Sequence, residues 1–278
     1  MIMDSQKARA LLSTKPELVN SFPDWMLPAT TIERLRNTEG VAIAEIAGRD
    51  SVAAALAAVE RHPIRAVLPT IAYTGTEYGD WGIPLEKSRY LAQRLGESGI
   101  EVTGPVLLGA PRFWWLLCGR HISSLIRRFS FYTPCLGCHL YLHALRIPLA
   151  RLVGAGFVIG GSRESHDGRI KVNQTATALD AYVKFVREFG IELLLPLRHM
   201  GTGEEIERIV ERNWDEGGEQ LQCVLSGNYR DTDGAVVIDE GDVQCFFDEF
   251  ALPLAEEIVR DYLAGRSPAR LASIKPAP

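Results

Sequence analysis

The chain has 278 residues, 46% of them hydrophobic and 23% charged, with 30 basic side chains against 35 acidic ones for a net charge of −5. That balance excludes a disordered chain, which needs low hydrophobicity and high net charge, and it leaves room for a substantial core. Five cysteines are too few, and odd in number, for a disulfide-dense secreted scaffold, so they read as reduced or metal-bound. The opening MIMDSQKARALLSTKPE lacks the apolar core of a signal peptide, and no stretch approaches the roughly 20 apolar residues of a membrane span. A cytoplasmic protein with no membrane partner is expected. The mild acidity speaks against general nucleic-acid binding but leaves room for a local basic patch.

Residues 1–38 read as a polar helical lead-in punctuated by Pro16, Pro23 and Pro28. VAIAEIAG (41–48) is a short apolar run, the mark of a buried strand, and it breaks at Gly48. The alanine-rich helix DSVAAALAAVERH follows, with Asp50 and Ser51 in capping positions, and then a second apolar run, RAVLPTIAYTG. Strand, helix and strand at this spacing make a βαβ unit and predict a parallel sheet. The pattern continues through helix EKSRYLAQRLGESG, strand EVTGPVLLG, helix RIPLARLVGAG, strand FVIGGS, helix DAYVKFVREFG and strand IELLLPL. EEIERIVERNW opens a helical C-terminal part, and residues 267–278 read as a loose tail. The expected fold is a doubly wound α/β sheet, Rossmann-like, with a small mainly helical C-terminal extension.

Ligands of open parallel sheets sit at the carboxyl ends of strands, near a switch in strand order. Ile46, Ala47, Gly48, Arg49, Asp50 and Ser51 lie at such an end. A small-residue turn entering a helix aims free N–H groups and the positive end of the dipole at one spot, which suits a phosphate. The same residues also make an ordinary strand-to-helix turn capped by Asp50.

IAGRDS resembles the S-G-G-x-D-S loop of the PP-loop ATP pyrophosphatase superfamily. Gly48, Asp50 and Ser51 match, while Ile46 and Ala47 replace the first Ser and Gly. IAYTGTEYGDW resembles the D-T-G segment of the sulfonucleotide reductases in that superfamily, with Thr74 and Gly75 matching, Glu77 and Tyr78 fitting loosely and Tyr73 in place of the Asp. FVIGGSRESHDGRIK resembles their later glycine-bearing strand end through Gly160 or Gly161, Arg163 and Arg169, and LLLPLRHMGTGEEIERI resembles the segment that closes the nucleotide domain. The resemblance implies a Rossmann-like nucleotide domain over residues 39–200, between the lead-in 1–38 and an extension 201–278. It also implies that ATP is held by residues 46–51 with Thr74 and Gly161, with Asp50 and Arg163 as catalytic residues. Mg2+ would bridge the phosphates, with Asp50 a candidate for its shell.

Cys135 and Cys138 form a C-x-x-C ahead of a helix, a spacing that serves zinc, an iron–sulfur cluster or a redox pair. His139 and His143, four apart, could help a zinc site, and Cys118 and Cys245 read as core. Enzymes of the superfamily that thiolate tRNA bases carry a C-x-x-C between nucleotide motifs and a third cysteine farther on. Cys223 follows Cys138 by 85 residues in QCVLSGN, which is similar to that stretch with Ser226 in place of a second cysteine. The resemblance implies Cys135, Cys138 and Cys223 as ligands of a [4Fe-4S] cluster, with zinc as the alternative; a buried core thiol is the plain reading of Cys223.

Arg112, Arg120, Arg127 and Arg128 alternate with Phe113, Trp114, Trp115, Phe129, Phe131 and Tyr132, a pattern that suits RNA or a helix with core aromatics. His166, Asp167, Lys171, Asn173 and Gln174 are further candidates for lining the site, or polar residues of a turn. The expected function is ATP-dependent adenylation of a carbonyl oxygen, on a tRNA base or a small molecule, followed by sulfur transfer. A sulfur-donor protein and a second copy of the chain are open partners. A sulfonucleotide reductase relative and a regulator with a degraded loop are the alternatives.

Overall fold

The computed structural model describes residues 22–214 and 220–267, with Gln6 and Ala10. Most of the lead-in and nearly all of the tail 267–278 lie outside the described residues. Helix α1 (Ala29–Arg36) precedes strand β1 (Val41–Glu45), helix α2 (Arg49–Arg61) and strand β2 (Ala66–Tyr73). The βαβ unit is therefore present, and β1 and β2 pair in parallel from Val41↔Ala66 to Glu45↔Thr70.

After β2 come the short β3 (Glu77–Tyr78), α3 (Gly82–Glu97), β4 (Glu101–Val102) and β5 (Val106–Gly109). The run EVTGPVLLG is not one strand. β4 pairs with Ala66 and Val67, β5 pairs with Thr70 to Tyr73, and the break falls opposite Leu68 and Pro69. Proline has no N–H to give to a ladder, so the gap sits where the ladder is already weakest.

The second half contains α4 (Pro111–Cys118), α5 (Ile122–Phe129), α6 (Pro134–Ala144), α7 (Arg146–Val153) and β6 (Phe157–Ile159). A 3-10 turn (Val172–Gln174), α8 (Ala176–Arg187) and β7 (Glu192–Leu194) complete the sheet side. β6 pairs with β1 and β7 with β6, both in parallel, giving the order β4/β5–β2–β1–β6–β7. Strand order reverses at β1, which makes the carboxyl ends of β1 and β6 the switch point.

β1 reads Val-Ala-Ile-Ala with 1% exposure or less at every position, so it is covered on both faces, as parallel strands are. α2, α3 and α9 (Gly203–Val210) pack together, and α6, α7, α8 and α11 (Leu252–Leu263) form a second group. α2 and α7 both contact β1 and β6, which puts helices on both sides. The fold is α/β with a parallel, doubly wound sheet.

The C-terminal part is less helical than expected. After α9, β8 (Gln222–Cys223) pairs antiparallel with β3, and residues 224–239 are turns and bridges before α10 (Glu240–Phe246). A π-helical turn, Phe247–Ala251, joins α10 to α11. One hydrophobic core runs from Met26 to Val259. Among the described residues no helix is long and apolar enough to cross a membrane.

Candidate functional site

A cleft of about 1090 Å³ opens at the switch point. Its floor is the turn from β1 into α2. The hydroxyl of Ser51 donates to the Gly48 carbonyl at 2.7 Å and accepts from Ala47 N and Gly48 N at 2.9 and 3.2 Å. A serine three residues into the helix thus ties the turn together, holding two N–H groups of the kind a phosphate oxygen would take. The loop after β6 presses on this turn: a Cβ at Gly161 would stand 2.7 Å from Ser51 N, so only glycine fits.

Ala47, Gly48, Arg49, Asp50, Ser51, Thr74 and Gly161 all line the cleft. Ile46 does not join them; it is 2% exposed and packs in the core. Arg49 is held by acids, donating to Asp50 Oδ1 at 3.2 Å and to Glu207 Oε1 at 3.3 Å. Arg163 is fully buried, and its Nε donates to Asp50 Oδ2 at 2.8 Å. Asp50 gives one oxygen to each guanidinium, which leaves a further lone pair on each oxygen. Arg163 is not among the residues that line the cleft; it reaches Asp50 and, through its backbone N–H, Gln174, which are.

Cys135, Cys138 and Cys223 line the same cleft. The C-x-x-C lies inside α6 rather than ahead of it. Pro134 takes the first helical position, where its missing N–H costs nothing, and Thr133 caps the helix by accepting from Cys135 N. Cys223 stands opposite Glu77 in the β3–β8 pair, and its sulfur lies 3.3 Å from Thr76 Oγ1. Leu225 touches two of the cysteines: its N–H donates to Cys223 Sγ at 3.4 Å, and its carbonyl lies 4.0 Å from Cys135 Sγ.

Burial pushes the Cys135 thiol up, and burial pushes Cys138 up further, with Glu77 and the other cysteines adding to the rise. Soft sulfur donors whose ionisation is suppressed by burial and by each other are the set that a thiophilic cation relieves. Among the described residues no three His, Cys, Asp or Glu side chains converge as a single ion requires. A cluster brings its own bridging sulfides and spreads its cysteines farther apart, so this donor set fits a cluster better than one zinc ion. The histidine pair does not complete a zinc site: His139 Nε2 accepts from Asn173 Nδ2 at 2.8 Å, and His143 is 1% exposed with neither ring nitrogen bonded among the described residues.

The other two cysteines part company. Cys118 is buried, as expected, whereas Cys245 is exposed on α10 rather than in the core. The arginine–aromatic segment is two helices, α4 and α5, and most of its rings are structural. Phe113 packs edge-on to Tyr141, Phe129 and Phe131 pack against Phe246, and Arg128 pairs with Glu249 at 2.6 Å. Trp115 remains 40% exposed with Arg120 over its ring.

No family model matches the chain. The protein named "Uncharacterized protein MJ0009" of Methanocaldococcus jannaschii is 39% identical over 227 residues, covering 81% of this chain and 82% of that relative. The chain belongs to the family of MJ0009. Among solved structures, the U34-tRNA thiolase NcsA from Methanococcus maripaludis with its [4Fe-4S] cluster is similar over 92% of this chain and 82% of its own, at 14% identity and a TM-score of 0.37.

Three residues at the site escaped the motif reading, and a fourth, Glu77, entered it only as a loose match. Trp114 and Gln220 line the cleft, and Gln220 lies over Gly48. Asn228 accepts from Thr133 Oγ1 at 2.9 Å and so ties the Cys223 turn to the start of α6. Glu77 is more than a loose match: its carboxylate accepts from Thr74 N, Thr74 Oγ1 and Gly75 N, fixing the loop after β2. Thr-x-x-Glu is a capping pattern visible in the sequence; Trp114 shows only as part of the arginine–aromatic pattern, and Gln220 and Asn228 carry no local signal.

Proposed function

We propose that this protein binds ATP with its phosphates on the N-terminus of α2 and adenylates a carbonyl oxygen of an acceptor, which a sulfur species then attacks with loss of AMP. The observation that carries the reading is that a phosphate-suited helix start and three cysteines line one cleft at the switch point of the sheet. Ala47, Gly48 and Ser51 would cradle phosphate oxygens, and Thr74 and Gly161 would border the nucleotide. Asp50 and Arg163 would hold the helix start rigid from below. Mg2+ would supply charge neutralisation on the phosphates.

Cys135, Cys138 and Cys223 would hold an iron–sulfur cluster, whose chemistry is to carry sulfur at an iron that no cysteine occupies. Thr76 and Leu225, already against Cys223, would orient that ligand. The acceptor is a tRNA base or a small molecule. The test is pyrophosphate release from ATP by anaerobically prepared protein given bulk tRNA or free pyrimidine nucleosides. Release stimulated by either supports the reading and names the class; wild-type protein that fails to bind ATP contradicts it.

A further inference from the structure

The loop after β6 brings one titratable group to the cleft that the proposed function leaves without a task. His166 is 5% exposed and lines the cleft. Gln174, at the end of the 3-10 turn, fixes which of its ring nitrogens carries the proton. Gln174 Oε1 accepts from the backbone N–H of Arg163 at 3.2 Å, which identifies that atom as the amide oxygen. The same oxygen lies 2.6 Å from His166 Nε2. An amide oxygen only accepts, so Nε2 is the protonated nitrogen and Nδ1 of the neutral ring holds a lone pair.

Nδ1 is 3.9 Å from Asp50 Oδ2. Asp50 sits in the first turn of α2, so this lone pair lies beside the spot where a helix start attracts phosphate. The ring is poised as a base. Burial lowers its proton affinity first, then Lys171 and Arg163, while Gln174 and Asp50 act the other way. Among the described residues these groups act on it from three segments: Asp50 from α2, Arg163 from its own loop, and Lys171 and Gln174 from the segment after it. A neutral base that becomes an imidazolium next to a carboxylate is the arrangement general-base catalysis needs.

We infer that His166 Nδ1 takes the proton released in the adenylation step, with Asp50 and Gln174 as its positioning residues. This rests on the ATP-dependent reading above, and it adds that the acceptor carries an N–H next to its carbonyl. The carbonyl oxygen forms a bond to the α-phosphorus, and the bond from that phosphorus to the pyrophosphate oxygen breaks. Pyrophosphate leaves with the electron pair, the N–H proton moves to Nδ1, and the acceptor keeps a carbon–nitrogen double bond. With water in place of the acceptor, its proton takes the same route.

The experiment combines nitrogen NMR of full-length protein labelled at histidine with slow pyrophosphate release from ATP, water serving as acceptor. His166→Gln assigns the ring signals. The expected result is the Nε2–H neutral form at pH 7, titrating below 6.5, and a shift towards the other tautomer in Gln174→Leu. His166→Gln should bind ATP as wild type does yet lose pyrophosphate release by about 100-fold. An Nδ1–H or doubly protonated ring at pH 7, or wild-type release by His166→Gln, would overturn the assignment. Wild-type protein that binds no ATP removes the proposed function itself, and the role of His166 with it, whatever the tautomer.

Discussion

Arg163 gives its Nε to Asp50 Oδ2 at 2.8 Å, joining two residues 113 positions apart, the one fully buried and the other at the start of α2. The contact ties the loop after β6 to the turn after β1, so the two halves of the switch point are held by one charged pair. Removing Arg163 takes away one of the two guanidinium partners of Asp50 and leaves Arg49 as the other, which costs about 1–3 kcal/mol. Arg163→Met should therefore lower the unfolding free energy by that amount, read as a lower urea midpoint at unchanged m. Arg163→Lys should recover little, because a point ammonium cannot reproduce the directed Nε bond. A wild-type midpoint in Arg163→Met would remove the pair from the account.

Gly161→Ala tests the packing of the same two loops. The added carbon would meet Ser51 N at 2.7 Å and the Asp50 carbonyl carbon at 2.8 Å, both backbone atoms that cannot swing aside. We expect a loss of about 1–3 kcal/mol, together with weaker ATP binding because the helix start must move. Thermal melting and an ATP titration of the same sample check both parts.

Glu77→Ala should free the loop after β2. The carboxylate accepts from two backbone N–H groups and the Thr74 hydroxyl, and it faces Cys223 across β3–β8. Stability should fall by about 1–3 kcal/mol. Alkylation of Cys223 by iodoacetamide in metal-free protein should quicken several-fold as the strand pair loosens. Unchanged alkylation would separate Glu77 from the cysteine site.

Acid should unfold the metal-free protein early, through α6. Burial, with Lys171 and Arg146 nearby, pushes His139 down to about 4, and burial holds His143 well below the ordinary histidine value. An unfolded histidine titrates near 6.5, so below that pH the unfolded chain binds protons that the folded one refuses. Stability is full above 6.5 and falls as the pH drops towards 4. At pH 5 the loss is about 2 kcal/mol for His143 and smaller for His139, whose ring meets the open cleft. His143→Leu should abolish that share, and it should gain about 1 kcal/mol at pH 7 by removing two buried ring nitrogens without partners. Equal urea midpoints at pH 5 and pH 7 would contradict the assignment.

The sheet was legible because its strands carry local signals. Val41 to Ala44, Phe157 to Ile159 and the leucines of β7 are apolar runs beside alanine-rich or amphipathic helices, and their order alone implies a parallel sheet. The break between β4 and β5 falls on Gly104 and Pro105, a local signal that reading EVTGPVLLG as one strand passes over, and Pro69 of β2 stands opposite the same gap. What stayed hidden depends on partners distant in sequence. Cys245 looks apolar in its local run, yet α10 turns it outward because Val243 and Phe246 take the buried face. Arg163 reads as a catalytic residue from the resemblance at a motif end, and its pairing with Asp50 depends on a partner 113 positions away. The cleft residues Trp114 and Gln220, and Asn228 that ties the Cys223 turn to α6, arrive from three separate segments, so only the folded chain assembles them.

The central claim is that the three cysteines hold one iron–sulfur cluster beside the nucleotide. Iron and acid-labile sulfide, counted after anaerobic reconstitution of the full chain and of Cys135→Ala, Cys138→Ala and Cys223→Ala, test it most directly. The account predicts about four irons and four sulfides per wild-type chain and loss of most of both in each variant, with Cys118→Ala and Cys245→Ala retaining them. Full iron and sulfide in Cys223→Ala, or zinc and no sulfide in the wild type, would contradict it.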